Sequence, residues 1–281
     1  MKKKILLLVL AFPIALHLFS LFFLHFDGEF SSKVFEHGFD KTYSTQVPEL
    51  DFSNLDSILG QRFHFLGHGK QMMAFESEDG CYVLKLFNPM RPLKKNWHTK
   101  WKYWKRYSSI KWISREWFQK KARLKKLFVR HQMAYEFLRE ETGLIFAHLS
   151  PSKRICYFVH VTDHHGRIHV LALENTPFII QEKAILVPRY LNNLVKTNRL
   201  EEANAAVIRL EKLLEKRISV GITDRIQTME NNYGFVGEKP IQIDIGRIRF
   251  NPELIKNPEE ERLRILGNLN SWLTENYPHL R

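Results

Sequence analysis

The sequence predicts an α+β fold: a small antiparallel sheet interrupted by a helix, then more helices, then an acidic hairpin. Three observations carry this. Residues 59–87 read as three β-rich runs separated by a glycine turn and a Glu-Asp-Gly turn, the last run bounded by Asn88-Pro89. Residues 120–141 read as a helix stopped by Thr142-Gly143, and residues 201–216 as an amphipathic helix with Ala206, Leu210, Leu213 and Leu214 toward the core. Residues 221–246 then return to short apolar strands around the turn Gly237-Glu238-Lys239-Pro240.

The remaining elements follow from the same signals. Residues 153–175 form a hairpin turning at 163–166, and residues 176–191 read as a mixed, linker-like stretch. A last helix covers about 259–274. With 44% hydrophobic and 13% aromatic residues, and only 13 Gly, the 281-residue chain is neither disordered nor fibrous. Its two cysteines, Cys81 and Cys156, make no disulfide framework or metal set and are expected as buried thiols.

Ahead of this domain, Met-Lys-Lys-Lys precedes residues 5–26, which contain no Asp, Glu, Lys or Arg. That length suits a hydrocarbon core of about 30 Å and exceeds the apolar core of a cleavable leader. The expectation is a signal anchor over residues 1–26, a spacer over 27–55 and a soluble domain over 56–281. Lysines before the span and mild acids after it (Asp27, Glu29, Glu36, Asp40) put the domain on the non-cytoplasmic side of a single-pass protein.

Between the third strand and the first helix lies a basic insertion, residues 88–128. Residues 91–131 hold 15 Lys or Arg against one acid, Glu116, enough to account for the whole chain's +13. Trp97, Trp101 and Trp104 fall on one helical face, with Trp112 and Trp117 beyond. Cations interleaved with indoles suit an anionic membrane surface, the expected partner of residues 91–130. Single-stranded nucleic acid is the alternative partner, and a stripe packed on the sheet the structural one.

Chemistry-bearing residues fall in one order along the chain. Gly67-His68-Gly69 opens the first turn. Lys85 sits within Tyr-Val-Leu-Lys-Leu-Phe, a costly place unless a charge meets it or the strand is solvated on that side. Glu136, with Glu140 and Glu141 as alternatives, lies on the following helix. Asp224 follows the amphipathic helix, Asn231 and Asn232 come seven and eight residues later, and Asp244 stands in Ile-Asp-Ile-Gly. Gly234 beside the strand suits a close backbone approach.

Taken together these residues resemble the protein-kinase-like superfamily over residues 59–250, in a reduced form closer to small-molecule or lipid-headgroup kinases than to full protein kinases. The resemblance implies a two-lobed fold behind the anchor, with a sheet-plus-helix lobe and a small, mostly helical one. It also implies ATP and Mg2+. Gly67, Gly69 and Lys85 would cradle the phosphates and Glu136 would hold Lys85. Asp224 would act as base, and Asn231 or Asn232, with Asn232 preferred, would bind the metal with Asp244.

The pattern departs from the family at named places. Met72 stands where a third glycine belongs, and Ile222-Thr223 replace His-Arg before the Asp. Only 35 residues follow Gly246, too few for a peptide-docking lobe. Two functions are therefore expected from different classes. One is an Mg2+-dependent phosphotransferase acting on a small-molecule or lipid-headgroup acceptor. The other is a catalytically inactive scaffold that binds a membrane or partner through the basic insertion. His160, His164, His165 and His169 gather on one hairpin, where a turn at 163–166 would set His160 across from His169 without an evident third metal ligand.

Overall fold

A computed structural model of the chain describes residues 52–69, 71–87, 110–150, 154–225 and 228–280. The expected anchor, the spacer as far as residue 51 and the tryptophans at 97, 101 and 104 lie outside the described residues. Among the described residues no helix is long and apolar enough to cross a membrane.

Helix α1 (Phe52–Leu59) precedes β1 (Arg62–His68), β2 (Met72–Ser77) and β3 (Tyr82–Phe87). The long helix α2 (Ile110–Phe137) and the single turn α3 (Arg139–Thr142) follow, then β4 (Leu144–His148), β5 (Phe158–Thr162), β6 (Ile168–Ala172), β7 (Phe178–Glu182) and β8 (Ile185–Leu186). Helices α4 (Val187–Lys196) and α5 (Leu200–Ser219) lead into β9 (Ile222–Asp224), α6 (Met229–Asn232), β10 (Tyr233–Val236), β11 (Lys239–Gln242) and β12 (Ile248–Phe250). Helices α7 (Glu253–Lys256) and α8 (Glu259–Asn276) come last. The α+β class holds. Gly143, at φ 59°, ends α3 in the left-handed conformation that glycine adopts without strain.

Seven strands make one sheet, ordered β4-β7-β3-β2-β1-β5-β6. It is not wholly antiparallel: the β5–β6 hairpin joins the edge with β5 parallel to β1, His160 beside Arg62. The stretch expected as linker is instead β7, β8 and α4. Strand β7 is buried at its first four positions, so it lacks the polar alternation that marks a half-exposed strand.

Both faces of the sheet are used. One packs Phe63, Phe75, Leu84, Val159 and Phe178 against Leu55, Ile58 and Leu59 of α1, so the folded domain begins before residue 56. The other joins Phe87, Ile179 and Leu144 to Leu127, Phe128 and Leu138 of α2 and α3's entry, and to Ile245 and Ile248. A separate, mostly helical core holds Leu191, Leu210, Leu214, Tyr233, Ile265 and Leu269. The second cluster is thus the seam between sheet and helical part, and the sequence around Asp244 lies in it.

Two expectations need correction. Cys81 and Cys156 are exposed, because each sits just ahead of a strand rather than inside it. His160 pairs with Val170 and His169 with Val161, so the two imidazoles point to opposite faces of the hairpin. Nε2 of His169 instead meets Asp163 Oδ2 at 2.9 Å. Among the described residues no group of three or more His, Cys, Asp or Glu could hold a metal.

Candidate functional site

Register puts Lys85 on the seam side of the sheet. It pairs with Ala74 on β2 and Ile179 on β7, so its side chain shares a face with Ile179, part of the seam core. From there the half-buried ammonium donates to the carbonyl of Ile243 at 2.9 Å. Burial pushes its pKa down to about 8, against the pull of the neighbouring Asp244 carboxylate.

Asp244 is exposed, and its Oδ1 accepts the amide of Gly246 at 2.9 Å, which fixes the carboxylate's direction. The carbonyl of Asn232 accepts the amides of Ile243 at 2.7 Å and Asp244 at 3.4 Å. The half-buried Asn232 is therefore locked beside Asp244, whereas Asn231 is exposed. The hairpin between them needs its glycine. A Cβ on Gly234 would lie 2.7 Å from the Ile185 carbonyl and 2.8 Å from Ala184 Cβ, which lets β10 approach β8 closely.

The β1–β2 turn closes over the same segment. Gly69 N donates to Met72 O at 2.8 Å, and a Cβ on Gly67 would meet nothing within 4 Å. Gln71 reaches down so far that a Cβ on Gly246 would lie 2.0 Å from its Oε1. Lys85, Asn232 and Asp244 thus meet in one region, which the β1–β2 turn reaches through Gln71; no contact among the described residues brings Gly67 or Gly69 itself to them.

Glu136 is not brought there. It is exposed on α2 and accepts Gln132 Nε2 at 2.9 Å. Neither it nor Glu140 nor Glu141 forms an ion pair with Lys85 among the described residues. Helix α2 presents Arg130 and His131 instead, and Glu136, five residues on, is turned about 140° away. His131 is buried, packs edge-on to Phe87 at 4.9 Å and has Nδ1 2.8 Å from the Leu127 carbonyl. Burial holds its pKa down to about 4; the Leu127 contact opposes this and the like charge of Lys85 adds to it.

Asp224 lies inside the protein. It is 1% exposed, its Oδ2 accepts Gln242 Nε2 at 2.8 Å, and its carbonyl accepts Arg264 Nη2 at 3.2 Å. Gln242 also donates to the Asp244 carbonyl at 3.1 Å and accepts Arg217 Nη1 at 3.1 Å. Arg217, 1% exposed, donates to Tyr233 Oη at 2.5 Å, while its Nε and Nη2 have no hydrogen-bond partner among the described residues. This buried relay of Arg217, Gln242 and Asp224 was invisible in the sequence. A Gln between two isoleucines in Ile-Gln-Ile-Asp was the one available signal.

Asn232 and Asp244 offer two oxygen-bearing side chains, and the second carboxylate oxygen of Asp244 makes no hydrogen bond among the described residues. Mg2+ is commonly held by one or two protein oxygens with phosphates and water completing the shell, so the donor set fits that ion when it arrives with a nucleotide.

No protein-family model matches the chain, and no curated protein matches it. Among solved structures, the bifunctional kinase-methyltransferase WbdD is similar to it over 71% of this chain, with 14% sequence identity and a TM-score of 0.32. The match spans 34% of the WbdD chain, about a third of its length.

Proposed function

We propose that the chain is a membrane-anchored, kinase-like phosphotransferase that moves the γ-phosphoryl group of ATP to a small-molecule or lipid-headgroup acceptor. One observation carries the reading. Lys85 crosses from the sheet to the carbonyl before Asp244, while Asn232 holds the amides of that same dipeptide. A cation and a two-oxygen metal face thereby converge from segments far apart in sequence. The order of three strands, a long helix, four further strands of the same sheet, then helices and a hairpin supports a two-lobed kinase-like arrangement.

In this reading Lys85 orients the phosphates, and the open space over Gly67 lets the turn's backbone approach them. Asn232 and Asp244 hold Mg2+, which when bound neutralises charge on the transferring group. Glu136 takes no part; the Ile243 carbonyl positions Lys85 instead. Asp224 can take an acceptor's proton only if Gln242 releases it, since its Oδ2 is occupied and buried.

That burial favours a second reading, a catalytically inactive scaffold that keeps the nucleotide face and acts through its basic insertion. Either way residues 1–26 are the anchor, and residues 91–130 lie against anionic lipid, with nucleic acid the lesser partner. Placing the domain beyond the membrane favours the scaffold, because free ATP is scarce there.

Thermal unfolding with and without Mg·ATP tests the phosphotransfer reading. Ligand at about 100 times its Kd stabilises by about 2.7 kcal/mol. The wild type is expected to shift only when Mg2+ is present, and Lys85→Ala and Asp244→Ala not at all. A folded wild type that never shifts overturns nucleotide binding. A shift without ADP formation in the presence of candidate acceptors favours the scaffold.

A further inference from the structure

The ribbon formed by β9 and β12 has two unlike faces. Asp224 opposes Ile248 on the buried face, and Thr223 opposes Arg249 on the other. The pairing ends at Asp224 and Ile248; Arg225 follows the one strand and Arg247 precedes the other, so with Arg249 three arginines cluster at one end of a two-stranded ribbon. Arg225 and Arg249 are exposed and Arg247 is half-buried. Arg130 arrives from α2, donating through Nη1 to the Gly246 carbonyl and lying within Coulombic reach of Arg249 and Arg247, with the Asp224 carboxylate offsetting part of that repulsion.

Like charges set against one another across a ribbon are destabilising unless something negative meets them. None of these four guanidinium groups forms an ion pair with another described residue. Asp224 offsets Arg130 in part, and the nearby carboxylates make their direct bonds elsewhere. Asp224 points to the buried face and accepts from Gln242; Glu261 pairs with Arg264 and accepts the Thr223 hydroxyl; Asp244 caps the Gly246 amide. The charge is left facing solvent three residues from Asp244.

We propose that Arg225, Arg247 and Arg249, backed by Arg130, form a binding site for a phosphate group. Planar guanidinium forks match phosphate oxygens in pairs, and several converging on one spot favour a doubly charged anion over a carboxylate. Beside the metal face, that group belongs to the acceptor: the molecule phosphorylated already carries a phosphate. This last step rests on the phosphotransfer reading; the anion site itself does not.

The test is thermal unfolding of the full-length chain in non-ionic detergent, with inorganic phosphate titrated against chloride at matched ionic strength. Phosphate at tenfold excess over its Kd is expected to raise the midpoint by about 3–5 °C. Arg247→Gln/Arg249→Gln abolishes that rise, while Lys256→Gln, a change at an exposed cation elsewhere, keeps it. Arg225→Gln carries the same test should the double variant not melt cooperatively.

A chain that shifts with Mg·ATP but not with phosphate overturns the anion site and leaves phosphotransfer standing. A phosphate shift without a nucleotide shift supports the site and overturns the acceptor step. Equal phosphate shifts in wild type and both arginine variants overturn the site. Glycerol 3-phosphate run beside inorganic phosphate identifies the source: tighter binding of the ester points to a phospholipid headgroup, equal binding to free phosphate.

Discussion

Lys85 Nζ donates to the carbonyl of Ile243 at 2.9 Å, joining two segments 158 positions apart at the residue before Asp244. The bond serves placement more than stability. Replacing Lys85 by Met leaves that carbonyl without its donor, a loss of about 1–3 kcal/mol, but also removes the cost of holding an ammonium out of water. The two effects oppose each other. Urea unfolding of Lys85→Met is therefore expected within about 1 kcal/mol of wild type, while calorimetry shows Mg·ATP binding weakened at least tenfold.

Glu136 gives the opposite pattern. Its partner is Gln132 on the same helix, and its carboxylate is exposed. Glu136→Gln should leave both the unfolding midpoint and the nucleotide dissociation constant unchanged within error. A tenfold loss of affinity in this variant would mean that α2 turns to bring Glu136 to Lys85 when nucleotide binds.

Gln242 is the most sensitive polar position. Its amide donates to Asp224 at 2.8 Å and its carbonyl oxygen accepts Arg217 at 3.1 Å, so Gln242→Leu strips one bond from each of two buried ions. Leaving buried charges short of partners costs about 3–5 kcal/mol. Chemical denaturation measures it. Coupling of more than about 1 kcal/mol in a double-mutant cycle between Arg217→Met and Asp224→Asn would show that the relay acts as a unit.

Two buried imidazoles set the response to acid. Burial holds His131 and His148 at about 4, against an ordinary 6.5. As pH falls from 6.5 toward 4 the unfolded chain takes up protons that the folded chain refuses, so stability drops through that window. The groups facing His131 are Lys85, Arg130 and Asp244. Each imidazole is expected to contribute on the order of 2 kcal/mol to the loss. Urea midpoints across this range should fall less steeply in His131→Gln/His148→Gln than in wild type.

Elements with a strong local period were readable in advance: β1 to β3, the amphipathic α5, and the hairpin carrying Asp244 all lie where the pattern places them. Strand β7 was not, because a segment buried on both faces shows no alternation. The parallel joining of β5 to β1 was hidden for another reason, since no local signal fixes which edge a hairpin joins. Lys85, Asn232 and Asp244 stood out in the sequence as polar exceptions within an apolar context, and the structure brings Lys85 and Asn232 to the segment of Asp244. Glu136 was misplaced because a carboxylate-rich helix does not announce its rotation. The relay through Arg217 and Gln242 depends on tertiary contacts that no spacing records.

The central claim is that Asn232 and Asp244 form a metal face completed by nucleotide. Electron paramagnetic resonance of Mn2+, standing in for Mg2+, tests it most directly. With ATP present, adding the wild-type chain should convert the free Mn2+ signal to a bound one beyond what ATP alone removes, and Asp244→Asn should not. An equal loss of free Mn2+ signal for wild type and Asp244→Asn, in chains that melt alike, would contradict the account.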